Sequence, residues 1–238
     1  MYSQGTKFQQ DKKPQTMTFK KFWHKIYIDP RRRRKMRKWG LPMLDAIDRI
    51  MSENSLPYSL IYGTLLGGVR EKGFIPHDND VDIALWADVD YSKAFSQMEK
   101  EGFVKLREIL VDDGKTAYEQ TLKFHSIHVD FFYFFPEGEG KYYGSEFFCF
   151  DDCASWAESI RKHGGLKMLK YHLPVSKKTE YIAFEDRKYQ ATVDAMSFVE
   201  EYYGPNWRIP DPTFVYPRKG ETVYDEMPGK TAILKSYR

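Results

Sequence analysis

The sequence predicts an α+β fold in which a mixed β-sheet is flanked by helices. Three patterns support this prediction. Polar and apolar residues alternate over 78–86, DNDVDIALW, as in a strand with one polar and one apolar face. Apolar residues recur at helical spacing over 43–51. Aromatic and β-branched stretches such as 124–135 are interspersed with the helical segments, so strands and helices follow one another along the chain.

Length and composition favour a single globular domain. A chain of 238 residues is one domain by default and is long enough to bury a substantial core. Aromatic residues make up 16% of the chain, which disfavours disorder. We therefore expect a flexible polar arm at 1–18 and a single domain over 19–238. The net charge of only +3 creates no overall field that would favour nucleic acid as a partner.

The chain shows no sign of secretion or of membrane insertion. Its first residues lack the apolar segment of a secretory signal, and no apolar stretch is long enough to span a bilayer. Cys149 and Cys153 have no second pair of zinc ligands nearby, so we expect two free thiols in a reducing compartment. These features predict a cytoplasmic protein.

A basic segment covers residues 19–40 and includes the run Arg31 to Arg34. Its charges are interleaved with large apolar side chains. Three interpretations are open: a solvated arm, a peripheral contact with an anionic membrane, or a site for a phosphate-bearing acceptor. A nucleic-acid surface finds no support elsewhere in the chain.

The elements before the acidic strand follow from local signals. Pro42 suits the first turn of a helix that ends near residue 52. Residues 58–62 form a strand pattern. Gly63 then permits a sharp turn, and Thr64 can cap a short helix over 65–69. The amides at the start of that helix would face an anion such as phosphate, although an ordinary strand–helix turn explains the same residues.

The later elements alternate in type. Helices are predicted from Asp88 or Asp90 to Gly102, over 153–162 with Asp151 or Asp152 as its cap, and over 192–203. Strands are predicted over 103–110, 118–124, 124–135 and 141–150, and residues 181–189 read as a strand or an extended arm.

Three carboxylates carry the strongest chemical signal. Asp78, Asp80 and Asp82 would point to one face of their strand, where like charges repel. A divalent cation would relieve that repulsion, and Mg²⁺ typically takes one or two carboxylates together with substrate phosphates. The alternative is an edge strand with a solvated polar face.

The segment GTLLGGVREKGFIPHDNDVDI, residues 63–83, closely resembles the signature of the LicD/fukutin family. The resemblance implies a nucleotidyltransferase-type fold and transfer of phosphate-containing groups from CDP-activated donors to sugar hydroxyls. Gly63, Thr64 and Arg70 match the glycine–helix part of the signature, and the aspartates at 78, 80 and 82 match its acidic triplet. His77 stands where many members have an aromatic residue. A looser resemblance lies in FVEEYYGPNWRIPDP, residues 198–212.

Position and resemblance together nominate Asp130 as a further carboxylate of the site. Asp130 is the only acid in the β-forming segment 124–135, and an acid there is costly unless it is paired or metal-bound. A salt-bridged or strand-end aspartate is the alternative.

The resemblance implies a metal-dependent transfer of an alcohol-phosphate, such as phosphocholine, to a glycan with release of CMP. Mg²⁺ or Mn²⁺ would bind Asp80 and Asp82, with Asp78 or Asp130 completing the ligands. Asp130 is also a candidate base for the acceptor hydroxyl. Arg70 would bind donor phosphate, unless it forms a structural ion pair. Two other functions stay open: transfer of a nucleoside monophosphate, and a non-catalytic binding module on the same fold.

Overall fold

The computed structural model describes residues 19–76, 78–211 and 224–237, with side chains from residue 34 onward. The arm expected at 1–18 and the unusual His77 lie outside these residues. The backbone of the basic segment 19–40 is helical, whereas most of its side chains, including Arg31 to Arg33, lie outside the description. The interpretations of that segment, and the single domain over 19–238, therefore stay predictions.

The described residues form five α-helices, one short 3₁₀ helix (Asp112–Gly114) and ten strands. The helices are α1 (Phe19–Glu53), α2 (Tyr62–Arg70), α3 (Ser92–Lys100), α4 (Trp156–His163) and α5 (Ala195–Tyr203). The strands are β1 (Ser59–Leu60), β2 (Asp80–Trp86), β3 (Phe103–Val111), β4 (Ala117–Phe124), β5 (Ile127–Pro136), β6 (Tyr142–Phe148), β7 (Leu166–Tyr171), β8 (Thr179–Phe184), β9 (Arg187–Thr192) and β10 (Tyr224–Ser236).

Six of the strands close into an antiparallel barrel. The strand order is β4-β3-β10-β7-β6-β5-β2-β1-β9-β8, and β4 also pairs with β5, which joins the first six strands into a ring. The remaining four strands extend the sheet outward from β5. The predicted α+β class, a mixed sheet flanked by helices in a nucleotidyltransferase-type fold, is therefore wrong, because six of the ten described strands close into an antiparallel barrel and the few helices do not flank an open mixed sheet.

The error has a physical origin in the two strands that close the barrel, β7 and β10, neither of which the sequence analysis predicted. β10 pairs antiparallel with both β3 and β7. Its register with β7 shifts between Glu226 and Thr231, around Pro228 and Gly229. Proline and glycine weaken a strand pattern and typically mark such irregularities. Pro228 and Gly229 therefore interrupt the sequence pattern typical of a strand near the middle of β10.

Several local predictions also need correction. Pro42 lies inside α1 rather than in a first turn. The segment 124–135 is divided by a turn at His125, whose φ is 51°, so that β4 and β5 form a hairpin. The helix predicted over 153–162 begins at Trp156 with Ser155 as its cap. The predicted strands over 103–110 and 118–124 are confirmed as β3 and β4.

Two apolar clusters hold these elements together. The larger one packs α1, α2 and α5 against the outer strands and β5, with residues such as Ile47, Leu65 and Phe198 fully or almost fully buried. The smaller one joins barrel strands β3, β4, β6, β7 and β10 to Trp156 and Ile160 of α4. Of the helices in the described part of the chain, none has both the length and the apolar character needed to cross a bilayer.

Candidate active site

The acidic strand is confirmed as β2, and its alternation has the predicted effect. Val81 and Ile83 are fully buried, whereas Asp80 and Asp82, on the opposite face, are only partly buried. Asp78 lies just before the strand, where its amide donates to the carbonyl of Ile75 at 2.9 Å. The apolar face anchors the strand in the core, and the acidic face lies at the border of the core, where the carboxylates themselves are largely buried.

A row of directly paired residues crosses four strands at this site. Asp82 of β2 is opposite Asp130 of β5, Asp130 is opposite Thr121 of β4, and Thr121 is opposite Arg107 of β3. The Thr121 hydroxyl donates to Asp130 Oδ1 and accepts from Arg107 Nε at 2.8 Å. The register therefore brings Asp130 beside Asp82, as the sequence analysis proposed.

The start of α2 lies directly against the acidic strand, at a distance that a small side chain would fill. A Cβ on Gly63 would lie 3.4 Å from Asp82 Oδ2 and 3.9 Å from both carboxylate oxygens of Asp78. The sharp turn predicted at Gly63 is made instead by Tyr62, which has a φ of 44°. Tyr62 is buried, and its hydroxyl hydrogen-bonds to that of Tyr171, so surrounding contacts stabilise an uncommon backbone conformation.

Thr64 binds Asp82 and does not cap the helix. The N-cap of α2 is Ile61, and Thr64 lies within the helix. Its hydroxyl accepts from the Asp82 amide at 2.9 Å, and its own amide donates to the Asp82 carboxylate. The predicted anion site at the start of α2 therefore already contacts one carboxylate of the protein.

Burial and mutual repulsion raise the pKa values of these acids. The pKa of Asp78 rises to about 7, mainly through burial and then through the charge of Asp80. Burial and the neighbouring Asp130 raise the pKa of Asp80. The pKa of Asp82 rises well above its usual range because the group is buried and faces Asp80, Asp130 and Asp78. Each shift reports a cost of charging the carboxylate in the absence of a cation.

The residues present fit a divalent cation. Asp78 Oδ2 is buried and has no hydrogen-bond partner among the described residues. Carboxylate oxygens are the ligands that Mg²⁺ and Mn²⁺ prefer. Within the described ranges, three potential ligand atoms lie mutually within 4.8 Å only at Asp152, Cys153 and His163. The aspartates therefore do not form a closed ligand shell by themselves, so an ion bound here would need further ligands, such as substrate phosphates.

Arg70 lies at the other end of α2 from Gly63. Its Nε is 2.8 Å from Glu71 Oε1, and its Nη1 donates to the carbonyl of Trp207 at 3.0 Å. These contacts tie α2 to the segment after α5. They match the structural ion pair that the sequence analysis held open, and the phosphate-binding role of Arg70 stays a prediction.

The cationic side of the site was not predicted from the sequence. Arg107 Nη2 lies 3.7 Å from Asp130 Oδ1 and 3.5 Å from Glu119 Oε1, and the Arg107 side chain is 39% exposed. Burial and the charge of Asp130 raise the pKa of Glu119 to about 7. His128, which was left out of the predicted ligands, is opposite Asp80. Only the strand register brings these residues to the site, and no local motif marks them.

Comparison with known proteins identifies a family for part of the chain. The family model described as LicD/FKTN/FKRP, nucleotidyltransferase domain, matches residues 55–163. That range contains the acidic strand and Asp130, and it confirms the resemblance found in the sequence.

The curated relatives point to the same family. Ribitol-5-phosphate transferase FKTN of Mus musculus is 25% identical over 181 residues, which cover 75% of this chain and 35% of the relative. The Homo sapiens protein of the same name is 24% identical over 79% of this chain and 37% of the relative. Lipopolysaccharide cholinephosphotransferase LicD of Haemophilus influenzae is 42% identical over 48 residues, 20% of this chain and 18% of the relative. The chain thus spans little more than a third of the fukutin sequences.

Proposed function

Because residues 55–163 belong to the LicD family, we propose that the chain is a metal-dependent transferase of alcohol-phosphate groups. It would move the group from a CDP-activated donor to a sugar hydroxyl of a glycan and release CMP. The observation that carries the proposal is the pairing of Asp82 with Asp130 beside the unpartnered, buried oxygen of Asp78. The names of the relatives, a ribitol-5-phosphate transferase and a lipopolysaccharide cholinephosphotransferase, support this class of group and a glycan acceptor.

The aspartates at 78, 80, 82 and 130 would hold Mg²⁺ or Mn²⁺. Such an ion neutralises the negative charge of a diphosphate and of the departing nucleotide. The raised pKa values of Asp78, Asp80 and Asp82 mean that these groups hold their protons more tightly than usual, and positive charge nearby would favour their ionised forms. Binding of the ion is therefore expected to release protons and to strengthen with pH.

Asp130 is placed to accept the proton of the acceptor hydroxyl. Thr121 holds Oδ1 of Asp130, and Oδ2 has no hydrogen bond among the described residues. Oδ2 would take the proton while the acceptor oxygen forms a bond to the distal phosphorus of the donor. The bond between that phosphorus and the oxygen of CMP then breaks, so one phosphate ester replaces the diphosphate linkage and CMP leaves with the electron pair.

Arg107 completes the charge balance from the opposite side of Asp130. Its guanidinium lies at the edge of the acidic row formed by Asp78, Asp80, Asp82 and Asp130. The guanidinium is partly exposed, so it can reach an incoming phosphate without losing the Thr121 contact. An arginine at that position orients a phosphate by paired hydrogen bonds. The hydrogen bond from Thr121 would then keep Asp130 in one orientation while Arg107 offsets the negative charge of the incoming phosphate.

The proposal is tested by calorimetric titration with CDP, CDP-choline, CDP-ribitol and CDP-glycerol, with Mg²⁺ and with chelator. Wild type is compared with Asp80→Ala, and with Asp186→Ala, which removes a carboxylate that is 72% exposed and outside the site. We expect metal-dependent binding of one CDP-alcohol in wild type and in Asp186→Ala, but not in Asp80→Ala. CMP should then appear when a glycan acceptor is added.

Two results would contradict the proposal. Binding of a nucleoside triphosphate with release of pyrophosphate would indicate nucleotidyl transfer. Failure to bind any nucleotide in the presence of Mg²⁺ or Mn²⁺ would leave a non-catalytic binding module.

A further inference from the structure

A second group of potential metal ligands lies beside α4, away from the acidic row. Asp152 Oδ1 is 2.8 Å from His163 Nε2 and 3.3 Å from Cys153 Sγ. The three ligand atoms all lie within 4.8 Å of one another. We propose that Asp152, Cys153 and His163 bind Zn²⁺ or another transition-metal dication of similar preference, at a site separate from the active-site cation.

The chemistry of the three ligands selects the class of metal. Thiolate, imidazole and carboxylate are the three side-chain types that bind zinc, whereas Mg²⁺ takes oxygen ligands alone. With ordinary zinc–ligand bond lengths, tetrahedral coordination places neighbouring ligand atoms about 3.4–3.6 Å apart. The 3.3 Å between Cys153 Sγ and Asp152 Oδ1 is close to that spacing, and the 2.8 Å hydrogen bond between His163 Nε2 and Asp152 Oδ1 would lengthen by about half an ångström. Three protein ligands leave the fourth position for water.

The loop that carries Asp152 and Cys153 is fixed to the helix that carries His163. The amide of Cys153 donates to the carbonyl of Phe150 at 2.9 Å, which closes the loop into a turn. The buried Ser159 hydroxyl accepts from the Phe150 amide at 3.4 Å and donates to the Gly165 carbonyl at 2.7 Å. One serine of α4 therefore links the loop before the helix to the segment after it.

Both ends of α4 are also capped, which limits movement of the ligands. Ser155 accepts from the Glu158 amide at 3.2 Å, and Glu158 Oε2 accepts from the Ala154 amide at 2.8 Å. Gly164 ends the helix in the left-handed conformation. Little conformational entropy is then lost when a metal binds.

Surrounding side chains orient the ligand atoms. The ring of Phe150 packs against the imidazole of His163 with centroids 4.3 Å apart. Lys162 Nζ lies 2.5 Å from Asp152 Oδ2 and leaves Oδ1 directed at the histidine and the thiol. Outer contacts of this kind fix the orientation of metal ligands. On binding, the Cys153 thiol would release its proton to solvent and its sulfur would form the bond to the metal.

The proposed metal ligands include Cys153 but not Cys149, so the proposal distinguishes between the two thiols. The sequence predicts two free thiols, and Cys149 and Cys153 are not bonded to each other. The same pattern disfavours zinc, because no second pair of ligands lies near CFDDC in the sequence. Asp152 and His163 supply the missing ligands, and the histidine reaches the loop only because α4 folds back against it.

The test is titration of the full, reduced chain with Co²⁺, which reports thiolate ligation through its charge-transfer absorption. Competition with Zn²⁺ then ranks the two ions. Variants Cys153→Ser and His163→Ala remove ligands, Cys149→Ser removes the other thiol, and Asp80→Asn removes an active-site carboxylate. Circular dichroism confirms that each variant is folded.

We expect one thiolate-bound Co²⁺ per chain in wild type, Cys149→Ser and Asp80→Asn. Its charge-transfer band should disappear when Zn²⁺ is added. The band should disappear in Cys153→Ser, and affinity should fall by at least about tenfold in His163→Ala. Excess Mg²⁺ should not compete. Absence of the band in wild type, its survival in Cys153→Ser, or its loss in Cys149→Ser would each overturn the proposal.

Discussion

The protein treats its carboxylates differently in two regions. At Asp152, hydrogen bonds from Lys162 and then His163 hold the pKa of the carboxyl well below its usual range. In the acidic row, burial raises the pKa values of Asp78, Asp80 and Asp82. Among the described residues, no lysine or arginine forms a salt bridge with any of those three. The exposed Asp152 therefore has cationic partners on its own chain, whereas the described residues provide no salt-bridge partner for the recessed acids.

That contrast separates stability from function. An exposed pair such as Lys162–Asp152 contributes little free energy and can be altered at small cost. Recessed carboxylates that repel one another lower the stability of the metal-free fold. A cost of this kind is typical of a site that binds a ligand of opposite charge. The two regions should thus respond in opposite ways to the removal of a charge.

The largest effect is expected from Asp82→Asn. This change keeps the shape of the side chain but removes the most strongly repelled charge, so metal binding and activity should fall by about 10³-fold. Thermal stability should be unchanged or higher, because a buried repulsion is relieved. Release of CMP from the preferred CDP-alcohol measures activity, and the unfolding midpoint measures stability.

Asp152→Asn is the matched variant from the other region, and its activity should stay within about twofold of wild type. Equal losses in the two variants would break the comparison.

A smaller effect, about 100-fold, is expected from Arg107→Gln. The change removes the guanidinium that lies beside both Asp130 and Glu119. Loss of a phosphate contact should raise KM for the donor, and loss of support for Asp130 should lower kcat, so measuring both separates the two roles. Arg187→Gln removes an arginine that pairs with Asp186 at the surface and serves as the control. Wild-type kinetics in Arg107→Gln would show that the acidic row works without its arginine.

The smallest effect is the dependence of stability on pH. Because folding raises the pKa of Asp78 from its usual 3.8 to about 7, the folded protein binds that proton more tightly than the unfolded chain. The contribution of Asp78 to stability is therefore full below 3.8 and is lost as the pH rises through about 7. In chelator, the unfolding midpoint should fall by several degrees between about pH 5 and pH 7.5, at about 2–4 °C per kcal/mol.

Mg²⁺ should remove most of this fall by stabilising the ionised carboxylates. Asp78→Asn should flatten the profile in chelator, whereas Asp186→Asn should leave it unchanged. A midpoint that rises with pH in wild type would show that the site is not repulsive in the absence of metal.

Local sequence was sufficient for the acidic strand itself. The alternation of Asp80, Val81, Asp82 and Ile83 determines which residues can be buried, because successive side chains of a strand point to opposite faces. The lone acid in an aromatic strand, together with the family resemblance, nominated Asp130, because such a residue needs a partner. The contiguous signature over 63–83 identified the family without knowledge of the fold.

The tertiary structure alone decided the architecture and the rest of the site. β7 and β10 close the barrel through pairings distant in sequence, and the interruption at Pro228 and Gly229 hides β10 from any local pattern. Arg107 and Glu119 join Asp130 because of strand register, and His163 joins Cys153 because a helix folds back. Periodicity reports which face of an element is buried, but it carries no information on which strands pair, and pairing is what places charges beside one another.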